Sequence, residues 1–182
     1  MARKESMSEW HPFPETVVIG LGYKARSGKD TVAKHIASQI PGVRILGFAT
    51  ALKAHCRVAF GMRDKNPILL QFAGTDVYRA ANPGMWVRIL YDTLLEDPPS
   101  CVIIPDVRFP NEAGFIKAMS GYLVRVDRPG YVAPDRDAQH PSETALDGYA
   151  GWDMVISADS GDLVHLRDQA MLAYGRALHY QL

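Results

Sequence analysis

Residues 18–31, VIGLGYKARSGKDT, constrain the fold more than any other stretch of the chain. A β-branched run, Thr16 to Leu21, feeds a glycine-containing turn. From Gly28 onward, Val32, Ala33, Ile36, Ala37 and Ile40 recur at helical spacing until Pro41-Gly42 stops the helix. A strand, a tight loop and a helix in succession can aim several backbone N–H groups at a phosphate. The stretch parses in two ways. From Gly20 it spells G-x-G-x-x-A, the turn of a dinucleotide-binding unit. From its far end, Ser27-Gly28-Lys29-Asp30-Thr31 closes a phosphate-binding P-loop.

The dinucleotide reading makes a second demand that the chain does not meet. An acidic residue should follow about 20 residues after the loop to hold the ribose, yet Thr31 through Arg63 contains no Asp or Glu. That reading also places Gly28 inside a helix, where glycine is unfavourable by about 1 kcal/mol relative to alanine. The P-loop reading uses the same residues well. Gly22, Lys24, Ala25, Arg26 and Ser27 wrap the phosphates of ATP, Gly28 permits the turn, and Lys29 reaches the β- and γ-phosphates. The usual G-x-x-x-x-G-K-[ST] pattern asks for glycine at 23 and a hydroxyl at 30. Here Tyr23 and Asp30 occupy those positions, with Thr31 one step later. Asp30 or Thr31 therefore approaches the Mg²⁺ that accompanies ATP, and the sequence leaves both open. The chain has no N/T-K-x-D guanine-reading segment and no L-S-G-G-Q, which sets aside GTPases and transport ATPases.

Five short strands alternate with helices along the chain. They are Thr16–Leu21, Val43–Phe48, Cys101–Pro105, Tyr122–Val126 and Asp153–Ser157. A largely helical stretch spans 50–95, broken near Gly61 and at Asn82-Pro83-Gly84. Asn111–Met119 makes a short helix, with Asn111 as its cap, and Asp162–His179 makes a closing one. This alternation predicts an α/β fold with a five-stranded parallel sheet flanked by helices. At 182 residues and 47% hydrophobic, the chain suffices for one core. Net charge is zero, so no overall positive field recommends nucleic acid. No apolar run reaches the roughly 18 residues of a membrane span, and Cys101 reads as a free buried thiol. Residues 1–15 form a polar leader without a secretory segment, and a cytoplasmic location follows. Residues 128–151, rich in Pro, Gly, Asp and Ser, read as a lid over the site.

Five segments occur in a fixed order: KARSGKDT, GFATALK, LLQFAGTDVYR with a following MW, IIPDVRFPNEA, and HPSE. Together they resemble phage-type deoxynucleoside monophosphate kinases over about residues 16–165. The resemblance implies a P-loop NTPase fold over 16–182, ATP and Mg²⁺ as cofactors, a deoxynucleoside monophosphate (dNMP) as the small-molecule partner, and host cytoplasm if the gene is phage-borne. A homodimer is compatible with it. Two alternatives stand beside it: another small-molecule kinase with the S-G-K-D loop, such as a phosphomevalonate kinase, and a non-catalytic nucleotide-binding subunit. The many arginines speak against the second.

A monophosphate acceptor is already an anion, so its phosphorylation needs no general base. It needs positive charge and alignment of two phosphate groups that repel each other. Arg26, Lys29, Arg108 and Arg128 are the expected catalytic cations, and Arg136 either closes over ATP or pairs locally with Asp135 and Asp137. Lys53, Arg79 and Arg108 belong to the acceptor side. By the resemblance, Gln71, Gly74, Thr75, Arg79 and Trp86 fall where nucleotide kinases hold the acceptor. Gln71, Thr75 and Arg79 lie four apart, so one helix face can present all three. Trp86 and Phe48 either stack on a base or fill the core. Asp106 either serves magnesium-bound water or the acceptor sugar, or it caps the helix near Asn111 or pairs with Arg108. Glu112 either touches substrate or starts that helix. Ser142 and His140 in HPSE lack a third orienting partner at a telling spacing, so a hydrolase is not expected there.

Overall fold

The computed structural model describes residue 13, residues 15–135 and residues 137–180. Five strands form one fully parallel sheet: β1 (Val17–Gly22), β2 (Val43–Ile45), β3 (Cys101–Val107), β4 (Tyr122–Asp127) and β5 (Met154–Ser157), in the order β2-β3-β1-β4-β5. Parallel strands need crossover connections, and helices supply them. These are α1 (Lys29–Gln39), α2 (Ala49–Ala59), α3 (Pro67–Gln71), α4 (Met85–Glu96), α5 (Pro110–Ala118), α6 (Pro141–Thr144) and α7 (Leu163–Tyr180). A π-helical segment, Phe72–Arg79, continues α3.

Burial explains why the inner strands read as unbroken apolar runs. Val18, Val102, Ile104 and Leu123 face a core shared with α2, α4 and α5, while Ile19, Leu21, Ile103 and Val124 face a second core against α1 and α7. Strands covered on both faces have no position for a polar alternate. Edge strand β5 does alternate, with Met154 and Ile156 inside and Val155 and Ser157 outside. Cys56 and Cys101 are both free and buried.

The β2 expectation is too long. After Ile45 only Leu46 still pairs, its N–H donating to Ile103 O at 3.1 Å, and the chain then turns into α2. Asp106 on β3 causes the turn: its two carboxylate oxygens accept from Phe48 N and Ala49 N, each at 2.9 Å. A carboxylate at a helix N-terminus satisfies orphan donors and meets the positive end of the helix dipole. Asp106 thus caps α2 and not the helix near Asn111. The cap expected of Asn111 is also revised. α5 begins at Pro110, and Glu112 folds back to accept from Phe109 N at 3.1 Å and Arg108 N at 2.7 Å.

Residues 128–151 divide in two. Residues 128–135 and 137–139 hold no helix or strand, with Ala133 the one buried apolar residue described there. From His140 on the chain packs, with Glu143 and Leu146 buried and the Trp152 ring lying where any side chain on Gly22 would have to go.

Candidate active site

The loop between β1 and α1 sits at the carboxyl ends of the strands, where open parallel sheets place their ligands. Three of its residues have left-handed backbone: Tyr23 (φ +92°), Arg26 (φ +55°) and Gly28 (φ +106°). Glycine adopts this region freely, whereas a non-glycine residue there costs of order 1–3 kcal/mol and persists only where its surroundings hold it. For Tyr23 the surroundings are visible. The Arg125 guanidinium lies 3.9 Å from its ring centroid, and Tyr23 N donates to Val107 O at 3.3 Å. The loop therefore keeps the turn of a P-loop without its usual glycine.

Lys29 opens α1 and is buried. Its ammonium donates to Tyr23 O at 3.1 Å, to Lys24 O and to Ser27 Oγ at 3.0 Å. Burial, reinforced by the Arg108 charge, pushes its pKa well below the usual lysine value. A desolvated cation inside a ring of loop oxygens gains from an approaching phosphate, which restores its counter-charge.

Facing the loop is a cleft of about 330 Å³. β3 contributes Asp106, and the turn just after it contributes Arg108. Arg108 Nη1 donates to Glu143 Oε2 at 3.0 Å and to Ser142 O at 3.4 Å. The far wall is the end of α3 and the π-helical segment that continues it: Gln71 from α3, and Thr75 and Arg79 from the π-helical segment, all line the cleft. Arg79 pairs with buried Glu112, and its guanidinium lies 3.9 Å from the Phe109 centroid. Burial raises the Glu112 carboxyl to about 7, against the opposing pull of Arg79 and of two backbone N–H donors.

No family model matches the chain. A protein of Acanthamoeba polyphaga mimivirus, provisionally named deoxynucleotide monophosphate kinase, is 33% identical over 175 residues, 77% of this chain and 87% of the viral one. This chain belongs to the deoxynucleoside monophosphate kinase family. The deoxynucleoside-5'-monophosphate kinase of Escherichia phage T5 is 32% identical over 84 residues, 43% of this chain and 33% of that one. A solved shikimate kinase from Acinetobacter baumannii superposes with a TM-score of 0.51 at 16% identity, over 93% of this chain and 97% of that one, which shows the shared P-loop kinase fold.

In this kinase the cleft gathers most residues singled out from the sequence. Ala25, Arg26, Gly28, Lys29, Asp30 and Thr31 line it from the loop, and Phe48, Lys53, Gly74, Trp86, Asp106, Arg108 and Glu112 line it from the other walls. Phe48 and Trp86 are also core residues, each 4% exposed, and the Trp86 indole donates to Gly74 O at 3.0 Å. Other residues lie aside. Gly22 is covered by Trp152, Lys24 pairs with Asp147, and Ser27 holds Lys29. Arg128 donates to Ser160 Oγ at 2.8 Å and to Arg26 O of the P-loop at 3.4 Å, its guanidinium 3.9 Å from the Tyr131 centroid. Arg136 falls outside the described residues.

The residue that sequence reasoning missed is Glu143. Besides Arg108 it accepts from Ala25 N, in the P-loop, at 2.8 Å. The HPSE segment was a visible signal, but a partner 118 positions away leaves no trace in local spacing. The third partner of the His140–Ser142 pair was equally out of sight: His140 Nε2 lies 3.2 Å from Asp76 Oδ1. Ser142 N donates to His140 Nδ1 at 3.1 Å, so the imidazole caps α6.

Proposed function

We propose that this chain transfers the γ-phosphoryl group of ATP to a dNMP, with ATP on the P-loop and the acceptor against the π-helical segment. The observation that carries the reading is the placement of cations on opposite walls of one cleft: Lys29 on the donor loop, Arg79 on the acceptor wall, and Arg108 between them. Arg26 adds charge at the loop. Transfer between two anions requires such a corridor, because the transition state spreads charge over oxygens that belong to neither substrate alone.

Mg²⁺ fits the donor chemistry. Asp30 and Thr31 begin α1 on the cleft side, and Asp106 faces the cleft from β3. Among the described residues no three acidic, cysteine or histidine side chains form a metal cage. Magnesium bound to nucleotides typically takes one or two carboxylates, waters and phosphate oxygens, so no such cage is required. Asp30, Thr31 and Asp106 would hold it, and the ion would neutralise charge on the β- and γ-phosphates. Asp106 would serve it through a bound water while keeping both hydrogen bonds of the α2 cap. Lys53, Gln71 and Thr75 orient the acceptor, and Phe48 and Trp86 supply the apolar wall against which a base packs.

No described helix is long and apolar enough to cross a membrane. The free cysteines and the substrates support a cytoplasmic site of action, and zero net charge supports a free nucleotide over nucleic acid as partner.

The test is ADP formation from ATP–Mg²⁺ with a panel of dNMPs, NMPs and phosphomevalonate. Turnover with dNMPs is expected. Turnover with phosphomevalonate alone would replace the acceptor assignment, and ATP binding without ADP formation would make the chain a non-catalytic nucleotide binder.

A further inference from the structure

α6 is four residues long, too short to be helical on its own account. Its order comes from what it touches, and its polar contacts reach both halves of the cleft. Glu143 Oε2 accepts from Ala25 N of the P-loop and from Arg108 Nη1. Ser142 Oγ accepts from Gln71 Nε2 at 3.3 Å, and His140 Nε2 lies 3.2 Å from Asp76 Oδ1. Gln71 ends α3, and Asp76 lies in the π-helical segment that continues it.

Glu143 is 7% exposed. A buried carboxylate is expensive to desolvate, and replacing a buried ion pair by apolar side chains is often neutral or stabilising. Stability alone therefore does not account for a carboxylate here. What an apolar residue cannot do is hold a backbone N–H and a guanidinium at one oxygen, fixing the distance between them. One of those partners belongs to the ATP loop, and the other is the arginine that stands between donor and acceptor.

We infer that Glu143 is a positioning residue that locks the P-loop to Arg108, and that α6 is the strut setting the donor–acceptor distance. This rests on the kinase reading above. Glu143 lies at the edge of the cleft, and the role assigned to it is exercised through Arg108 and the Ala25 amide. Because misplacing reacting groups by an ångström can cost about 100-fold, loosening the strut lowers kcat and leaves ATP capture by the loop nearly intact.

The experiment is steady-state kinetics with ATP–Mg²⁺ and dNMP on wild type, Glu143→Ala, Glu143→Gln, Arg108→Ala and the Glu143→Ala/Arg108→Ala double variant, with thermal midpoints for each. Glu143→Ala is expected to lower kcat by about 10- to 100-fold with KM for ATP within about twofold. Glu143→Gln, which keeps an oxygen for the Ala25 amide, should recover part of the loss. The double variant should be no slower than Arg108→Ala, because the two act as a unit. A Glu143→Ala protein with a lowered midpoint but near-normal kcat would overturn the strut, as would losses that multiply in the double variant. Wild-type protein that makes no ADP with any dNMP would instead defeat the kinase reading, and the strut with it.

Discussion

Arg79 and Glu112 form a buried ion pair in the wall of the cleft that faces the P-loop, with side chains 11% and 3% exposed. The same carboxylate accepts from Arg108 N, so one buried acid ties together Arg79 and Arg108, the two arginines that the proposed function puts beside the acceptor. The β3–α5 turn and the π-helical segment are thereby joined at the point where an acceptor phosphate would arrive.

Burial makes this junction sensitive to pH. Glu112 has its carboxyl raised from the ordinary 4.5 to about 7. Between those values the folded state holds a proton that the unfolded chain releases, so the contribution of Glu112 to stability falls as pH rises through the window and levels off above it. The slope can reach at most ~1.4 kcal/mol per pH unit. Urea midpoints for wild type and Glu112→Gln, taken from pH 5 to 8, should show the wild type losing stability relative to the variant as pH rises. Parallel curves would mean that Arg79 and the amide donors hold the carboxylate ionised throughout.

Removing Arg79 outright would confuse binding with folding. Arg79→Ala leaves a buried carboxylate without its cation, at a cost of about 3–5 kcal/mol. Arg79→Lys keeps the charge and loses the planar fork that grips two oxygens. Its KM for dNMP should rise roughly tenfold, the loss of about one charge-assisted hydrogen bond, with KM for ATP little changed. Equal shifts for both substrates would mark Arg79 as structural.

Lys29→Ala should lower phosphoryl transfer on the order of 10²- to 10³-fold, the cost of one missing transition-state charge partner. Circular dichroism should remain that of the wild type. A variant with near-normal kcat for any dNMP would remove the P-loop from the chemistry.

The lid expectation narrows to residues 128–139. This loop is tied to the donor site by the Arg26–Asp135 ion pair at 2.6 Å, in which Arg26 is largely exposed and so weakly bound. Amide exchange there should be fast in the free protein and slow with ATP plus a non-reactive dNMP analogue, while the amides around Leu146 stay protected in both states. Slow exchange in the free protein would make the loop fixed structure.

Local patterns carried the fold because they are set by local physics. The apolar runs at 17–22, 101–104 and 122–126 are strands buried on two faces, and Gly28-Lys29 before a helical period reads as a phosphate loop once no acidic residue occurs from Thr31 through Arg63. Tertiary structure alone decided how the polar residues are spent. A cap on the helix that follows was one role weighed for Asp106 beside a role at the site, and it caps α2 instead, which lies before it in the chain. Tyr23 looked like a defect in the loop, yet Arg125 and the Val107 carbonyl hold it in the turn a glycine would make. Glu143 carried no spacing signal at all, because Ala25 in the β1–α1 loop and Arg108 just after β3 meet at it only once β1 and β3 lie side by side. Hydrophobic periodicity is written in neighbours a few positions apart; a charge finds its partner through the folded sheet.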